Sequence, residues 1–246
     1  MMLPKKVALL LPVIVFSLPF LHRQWDAINQ RRSHILPYNH NETMIKSSDD
    51  NESIIRQLGY AKNDVTLWNS EYKNGSYLIR VQINKSFTGQ AEKKIRTALK
   101  SIEKRSKVIK FRISSLPPKK TKPYIHIKQT GSGCWSWIGR TSSAKTGQVL
   151  SLDEDENCVT SAIIEHEILH ALGLIHEHTR EDRDSYVEIK YDNIREGREG
   201  SFNIDKNGDT LGTEYDLNSV MHYGKKSSAK NDNVKTIVAK VSFKKT

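Results

Sequence analysis

The stretch HEILHALGLIHEH, residues 166–178, decides how the rest of the chain is to be read. His166 and His170 stand four apart, so on a helix they differ by only about 40° around the axis and leave the same face one turn apart. Glu167, beside the first of them, can reach a water on an ion held by the pair without being a ligand itself. Continued as helix, His176 would lie about 9 Å further along the axis than His170, too far to share one ion. The helix must therefore stop before it. Gly173 is the residue that can stop it, because a glycine takes positive φ at the C′ position and lets the chain double back. Leu172 and Ile175, on either side of that turn, are expected to enter the core. The spacing HExxHxxGxxH thus points to one Zn2+ ion per chain, with His166, His170 and His176 as metal ligands and Glu167 as catalytic base. A bare HExxH recurs by chance; the added glycine and third histidine at these positions do not.

Outward from this stretch, the preceding residues supply a domain to hold it. Residues 77–83 (YLIRVQI), 108–113, 124–128, 134–138 and 148–152 alternate or are bounded by turn residues as short strands are, which predicts a sheet of about five strands. Thr88 is placed to N-cap a helix to about Lys104, with Ala91, Ile95, Ala98, Leu99 and Ile102 on one apolar stripe. The metal-binding helix is expected to start at Thr160 or Ser161 and to pack through Ile163, Ile164, Ile168, Leu169 and Leu172. Strands first and the long helix after them predict an α+β domain. Beyond the metal stretch, residues 176–194 are densely charged and read as a surface loop with a short helix or turn. DKNGD at 205–209 lacks the glycine and bidentate glutamate of a calcium loop, since Thr210 and Asp216 stand at those positions, and reads as a polar turn.

The amino-terminal third has a different texture. Lys5 and Lys6 precede an uncharged apolar run of 15 residues, 7–21, short for a membrane span of about 20, so residues 1–21 read as a secretory signal peptide, or as a signal anchor if uncleaved. Residues 22–60 are polar and aperiodic, a pro-segment or linker, and 61–246 form the catalytic domain. Sequons at Asn41, Asn51, Asn74 and Asn84 fit a secreted, extracellular glycoprotein. In that compartment the two cysteines, Cys134 and Cys158, read as one disulfide just ahead of the metal helix. The chain carries 39 Lys and Arg against 28 Asp and Glu, a net charge of +11, but the basic residues are dispersed and no nucleic-acid motif accompanies them. No nucleic-acid partner is expected, and a membrane only if the first segment is an uncleaved anchor. The sequence leaves the oligomeric state open.

Three motifs together carry a family resemblance: GSGCWSWIGR (131–140), HEILHALGLIHEHTREDRD (166–184) and YDLNSVMHYG (215–224). The chain resembles the astacin family of metzincin zinc endopeptidases over most of residues 68–237. The resemblance implies a two-lobed metzincin fold with a twisted, mainly N-terminal sheet, two long helices and zinc in the cleft between the lobes. It implies Met221 as the Met-turn beneath the metal and Tyr223 as an extra zinc ligand that swings away to stabilise the oxyanion. It implies Glu177 as the buried acid that pairs with the new N-terminus after removal of a pro-segment. Protein or peptide substrates would lie extended along the edge strand leading into residues 131–134 and be hydrolysed by zinc-activated water. The family's second disulfide has no counterpart, with Val108 at its first position, and VSFKKT stands where a C-terminal helix is expected, so a shortened C-terminal lobe is expected. No FxGD motif precedes Trp68, so the resemblance assigns no latency residues. A catalytically inactive zinc-binding secreted module is the alternative reading of the same features.

Overall fold

In the computed structural model the described residues are 68 and 71–240, apart from 119–121, 142–143, 145, 207, 209 and 211–212. The expected signal peptide, pro-segment and first two sequons lie outside them. The sheet grows from a hairpin: β1 (Tyr72–Lys73) turns through Asn74 (φ 51°) and Gly75 (φ 74°) into β2 (Ser76–Ile83). Two successive positive φ values are what a two-residue turn needs to match strand twist, and Asn-Gly supplies them at least cost. Asn74, a sequon residue, stands exposed at its tip. β2 buries Ile79, Val81 and Ile83 on one side, the period-2 set.

Helix α1 (Gly89–Ser106) follows, its first turn closed by the Thr88 hydroxyl, which accepts from the Ala91 N–H at 3.2 Å. The predicted apolar stripe is the buried face. The helix runs two residues past the expected end because Lys107 takes the left-handed region (φ 59°) and its N–H closes on the Glu103 carbonyl. α1 is the crossover between β2 and the parallel strand β3 (Ile109–Ser114). β4 (Tyr124–Lys128) pairs parallel with the other side of β2. The short β5 (Trp135–Ser136) runs antiparallel to β6 (Gln148–Ser151), which in turn pairs parallel with β4, so β5 forms that edge of the sheet. All five predicted strands are present, and β1 adds a sixth.

The acidic stretch after β6 is a fastening rather than a free loop. The carboxylate of the buried Asp153 accepts the N–H groups of Thr130 (2.7 Å) and Gly133 (2.6 Å), and Glu154 accepts from the N–H and hydroxyl of Thr88. Cys134 and Cys158 form the disulfide expected of them, tying the turn before β5 to the entrance of helix α2 (Ser161–Ala171), which Thr160 N-caps.

Beneath α2 lies a second, smaller unit. β7 (Val187–Ile189) and β8 (Ile237–Ala239) pair antiparallel, and Val187, Ile194, Phe202, Tyr215 and Ile237 form a hydrophobic cluster separate from the main one. The main cluster lies between sheet and helices and includes Met221. It also takes in Trp68, whose indole N–H donates to the Ala171 carbonyl at 2.7 Å. Two helices, a mixed sheet and a lower cluster make the α+β arrangement expected of a metzincin, with the metal stretch at the seam.

The disulfide joins cysteines 24 residues apart, for which chain entropy gives about 3 kcal/mol. Replacing both cysteines by alanine is therefore expected to lower unfolding free energy by about 2–4 kcal/mol in urea denaturation. An unchanged midpoint would exclude it.

Candidate metal centre and active site

Helix α2 presents His166 and His170 from one face, and its end brings the third imidazole to them. Leu172 caps the helix and Gly173 follows at φ 110°. The Gly173 N–H donates to the His170 carbonyl at 2.8 Å and the Leu174 N–H to the Leu169 carbonyl at 3.0 Å, the paired bonds of a Schellman termination. The residue drawn onto the main core after the turn is Leu174, not Ile175 as the sequence suggested. Ile175 instead reaches the backbone of Gly208, where an added Cβ would collide with its side chain.

The three imidazoles converge. His176 Nε2 lies 3.2 Å from His170 Nε2 and 3.2 Å from His166 Nε2, and among the described residues this trio is the group able to share a metal. Around a tetrahedral zinc, with bonds of about 2.0–2.1 Å, ligand nitrogens stand about 3.3 Å apart. His166 Nδ1 faces the Val220 carbonyl at 2.8 Å and His170 Nδ1 faces the Leu174 carbonyl at 2.8 Å. A proton on each Nδ1 satisfies those carbonyls and leaves the Nε2 lone pairs pointing inward. His176 can donate from Nε2 to one of those neighbours at most. Burial pushes all three below the ordinary histidine range, and His170 and His176, where neighbouring imidazoles add to the effect of burial, far below it. Convergent acceptors that resist protonation fit a cation.

Glu167 supplies a second sign of fit. It is fully buried, and neither carboxylate oxygen has a hydrogen-bond partner. An unpaired buried carboxylate is costly, and burial pushes this one well above the usual carboxylate range.

Met221 and Tyr223 arrive from the second motif. Met221 is 2% exposed, packs in the main core, and its carbonyl accepts the Glu177 N–H at 3.0 Å. The turn residue before it, Val220, is the one that orients His166. Tyr223 sets its ring beside His176, centroids 4.7 Å apart, and packs against the lower cluster. Burial pushes its hydroxyl up to about 12, so it stays protonated at neutral pH.

The charged stretch after the third histidine is not the surface loop that its composition suggested. Glu177, His178, Thr179, Arg180 and Arg183 are buried. The Glu177 carboxylate accepts from Arg180 Nη1 at 2.8 Å and from the Asp216 N–H at 3.0 Å, both on Oε1. Arg180 also pairs with Asp182, donates to the Thr213 and Glu214 carbonyls, and lies 5.3 Å over the Tyr215 ring. Arg183 Nη1 donates to the His178 and Phe202 carbonyls. The fork of a guanidinium can satisfy several carbonyls at once, so these arginines pin the loops around the histidines. His178 and both arginines escaped sequence reasoning because a charge run has no periodicity to mark which members turn inward.

Residues 60–246 match the family model described as Astacin, a peptidase family. Meprin A subunit beta of Rattus norvegicus is 46% identical over 121 residues, covering 48% of this chain and 16% of the relative. The low choriolytic enzyme of Oryzias latipes is 35% identical over 159 residues, 64% of this chain and 54% of the relative. The chain thus spans about a sixth of the first relative and about half of the second. Among solved structures, high choriolytic enzyme 1, a hatching enzyme zinc-protease of Oryzias latipes, superposes with a TM-score of 0.61 at 27% identity, over 82% of this chain and 87% of that one.

Two outcomes follow from the buried charges. Arg180→Ala is expected to destabilise the fold by about 3–5 kcal/mol, the cost of stranding a buried carboxylate, and adding Glu177→Gln should recover part of that loss in urea denaturation. The metal-free protein should lose stability on acidification. Its buried histidines have folded pKa values below 6.5, that of His178 pushed down to about 3 by burial. Below about pH 6.5 the unfolded chain takes up a proton at each of His166, His170, His176 and His178 that the folded chain refuses; the raised Glu167 and Glu177 carboxyls act the other way but are fewer, so stability present above that pH is lost as it falls. A melting temperature constant between about pH 7.5 and 5 would exclude this.

Proposed function

The chain belongs to the astacin family of peptidases, and on that premise we propose that it is a secreted zinc endopeptidase that hydrolyses peptide bonds in protein substrates. The observation that carries this reading is the unpartnered, buried Glu167 carboxylate beside three convergent Nε2 atoms. His166, His170 and His176 would hold the ion. When bound, zinc supplies a Lewis acid for the scissile carbonyl and brings the pKa of water down to about 7.

The work of the side chains follows from their surroundings. Glu167 takes a proton from the attacking water as its oxygen bonds to the carbonyl carbon, then hands that proton to the leaving nitrogen as the C–N bond breaks. Its raised proton affinity suits both transfers. The Tyr223 hydroxyl, kept protonated by burial, donates to the oxyanion, and one well-placed donor of this kind is worth about 3–4 kcal/mol. Met221 provides the apolar floor and links the two lobes through Glu177. No covalent intermediate with the protein is needed.

The strand leading into residues 131–134, β4, is internal, paired with β2 and β6, and so is not the edge expected; substrate would instead add an extended strand to β5, the edge strand that follows those residues. Glu177 keeps Oε2 clear of the bonds made to Oε1, which suits the pairing with a processed N-terminus that the family resemblance implies. Secretion through a cleaved signal at 1–21, removal of a pro-segment within 22–60, and glycosylation at the exposed Asn74 complete the proposal.

Glu167→Gln is expected to reduce cleavage of an unstructured protein by at least about 10³-fold while retaining one zinc per chain by elemental analysis. Correctly processed, zinc-loaded wild-type protein without chelator-sensitive cleavage would overturn the endopeptidase reading and favour a zinc-binding module.

A further inference from the structure

We propose that His178, held by the Ser201 carbonyl, forms a built seat for Tyr223 and is a positioning residue that fixes the direction from which its phenol addresses the site. The catalytic consequence of the seat rests on the endopeptidase reading; its geometry does not.

His178 lies two residues beyond the third imidazole and is fully buried. Its ring stacks on that of Tyr223, with centroids 4.0 Å apart and planes at 26°. On the Tyr223 ring, Phe202 adds an edge contact at 5.8 Å and 84°, and His176 another at 4.7 Å and 61°. The phenol is thus walled on several sides by rings, which leaves it a narrow arc of motion. His178 does not choose its own orientation: Nε2 donates to the Ser201 carbonyl at 3.0 Å. The Ser201 main chain therefore aligns the platform on which the Tyr223 ring rests.

The seat is stiff because its supports are tied to one another. Ser201 belongs to the single helical turn Glu199–Phe202, anchored by the fully buried Phe202. Arg183 Nη1 bridges the His178 carbonyl at 3.0 Å and the Phe202 carbonyl at 2.6 Å, so platform and turn move as one.

Packing alone does not account for a histidine here. A phenylalanine would fill the same stack without burying a polar ring, and His178 Nδ1 is left buried without a partner, which is unfavourable for any polar atom. What the imidazole brings and a phenyl lacks is the N–H that fixes its rotation against Ser201.

The test combines kinetics with a probe that needs no turnover. His178→Phe keeps the stack and loses the Ser201 bond; His178→Ala loses both the stack and that bond. Against a fluorogenic peptide, the second is expected to lower kcat about 10-fold with KM within about twofold, and the first by less. In a Tyr223→Phe background the His178 substitutions should change kcat by less than about twofold, since the group they position is gone. Zinc content should match wild type throughout. In parallel, 3-fluorotyrosine placed at 223 should give one shifted 19F resonance in the metal-free wild-type protein that moves in each folded variant. Equal kcat losses with and without the Tyr223 hydroxyl, or an unmoved 19F resonance in both His178→Phe and His178→Ala, would overturn the seat. If wild-type protein cleaves nothing yet the 19F resonance shifts as expected, the seat stands and the endopeptidase reading fails.

Discussion

Everything in the centre depends on one reversal of backbone direction at the end of α2. A helix can offer two imidazoles on one face but never the third at bonding distance, so a three-histidine site needs the chain to leave the helix within a few residues and come back. Gly173 at φ 110° provides that exit, and the paired bonds to His170 and Leu169 hold it. The same His170 whose ring faces the centre accepts the Gly173 N–H through its carbonyl, and its Nδ1 meets the carbonyl of Leu174. Helix termination and ligand orientation are therefore one set of bonds. A side chain with a Cβ at this position would strain both together.

The elements around that reversal act as supports of different kinds. The sheet and α1 hold α2 by apolar burial, and the disulfide and the Asp153 carboxylate fasten its entrance. The far side of the site is held by polar groups instead: Glu177 tied to Arg180 and the main chain of Asp216, Arg183 tied to the carbonyls of His178 and Phe202. The division has a physical basis. Segments that form no long helix or strand leave many carbonyls unpaired, and a buried guanidinium is the side chain best shaped to gather them. The lower cluster of Val187, Ile194, Phe202, Tyr215 and Ile237 is small, so the arginines carry much of the order in that half.

Glu167 is buried at a cost to stability. A buried carboxylate without a donor is the arrangement a folded protein ordinarily avoids, and it sits here at the one point where three acceptor nitrogens also face one another. A cation and a water between them would relieve each half of this conflict. His178 is a milder case of the same kind, a polar ring buried where an apolar one would pack as well.

The sequence by itself determined what is periodic or local: the strands through their alternation, α1 through its stripe and its N-cap Thr88, the start of α2 at Thr160 or Ser161, the stop at Gly173, and the paired cysteines. It also placed the metal and base candidates, because HExxHxxGxxH is a spacing and spacings are legible along a chain. Only the tertiary structure decided which members of the charged stretch 177–183 are buried, that Leu174 rather than Ile175 joins the core, and that His178, Ser201 and Tyr223 meet. The reason is the same in each case. Irregular segments have no repeat that ties side-chain direction to position, so their burial is set by distant partners. Arg183, His178 and Arg180 find theirs between 19 and 34 residues away, at Phe202, Ser201, Thr213 and Glu214.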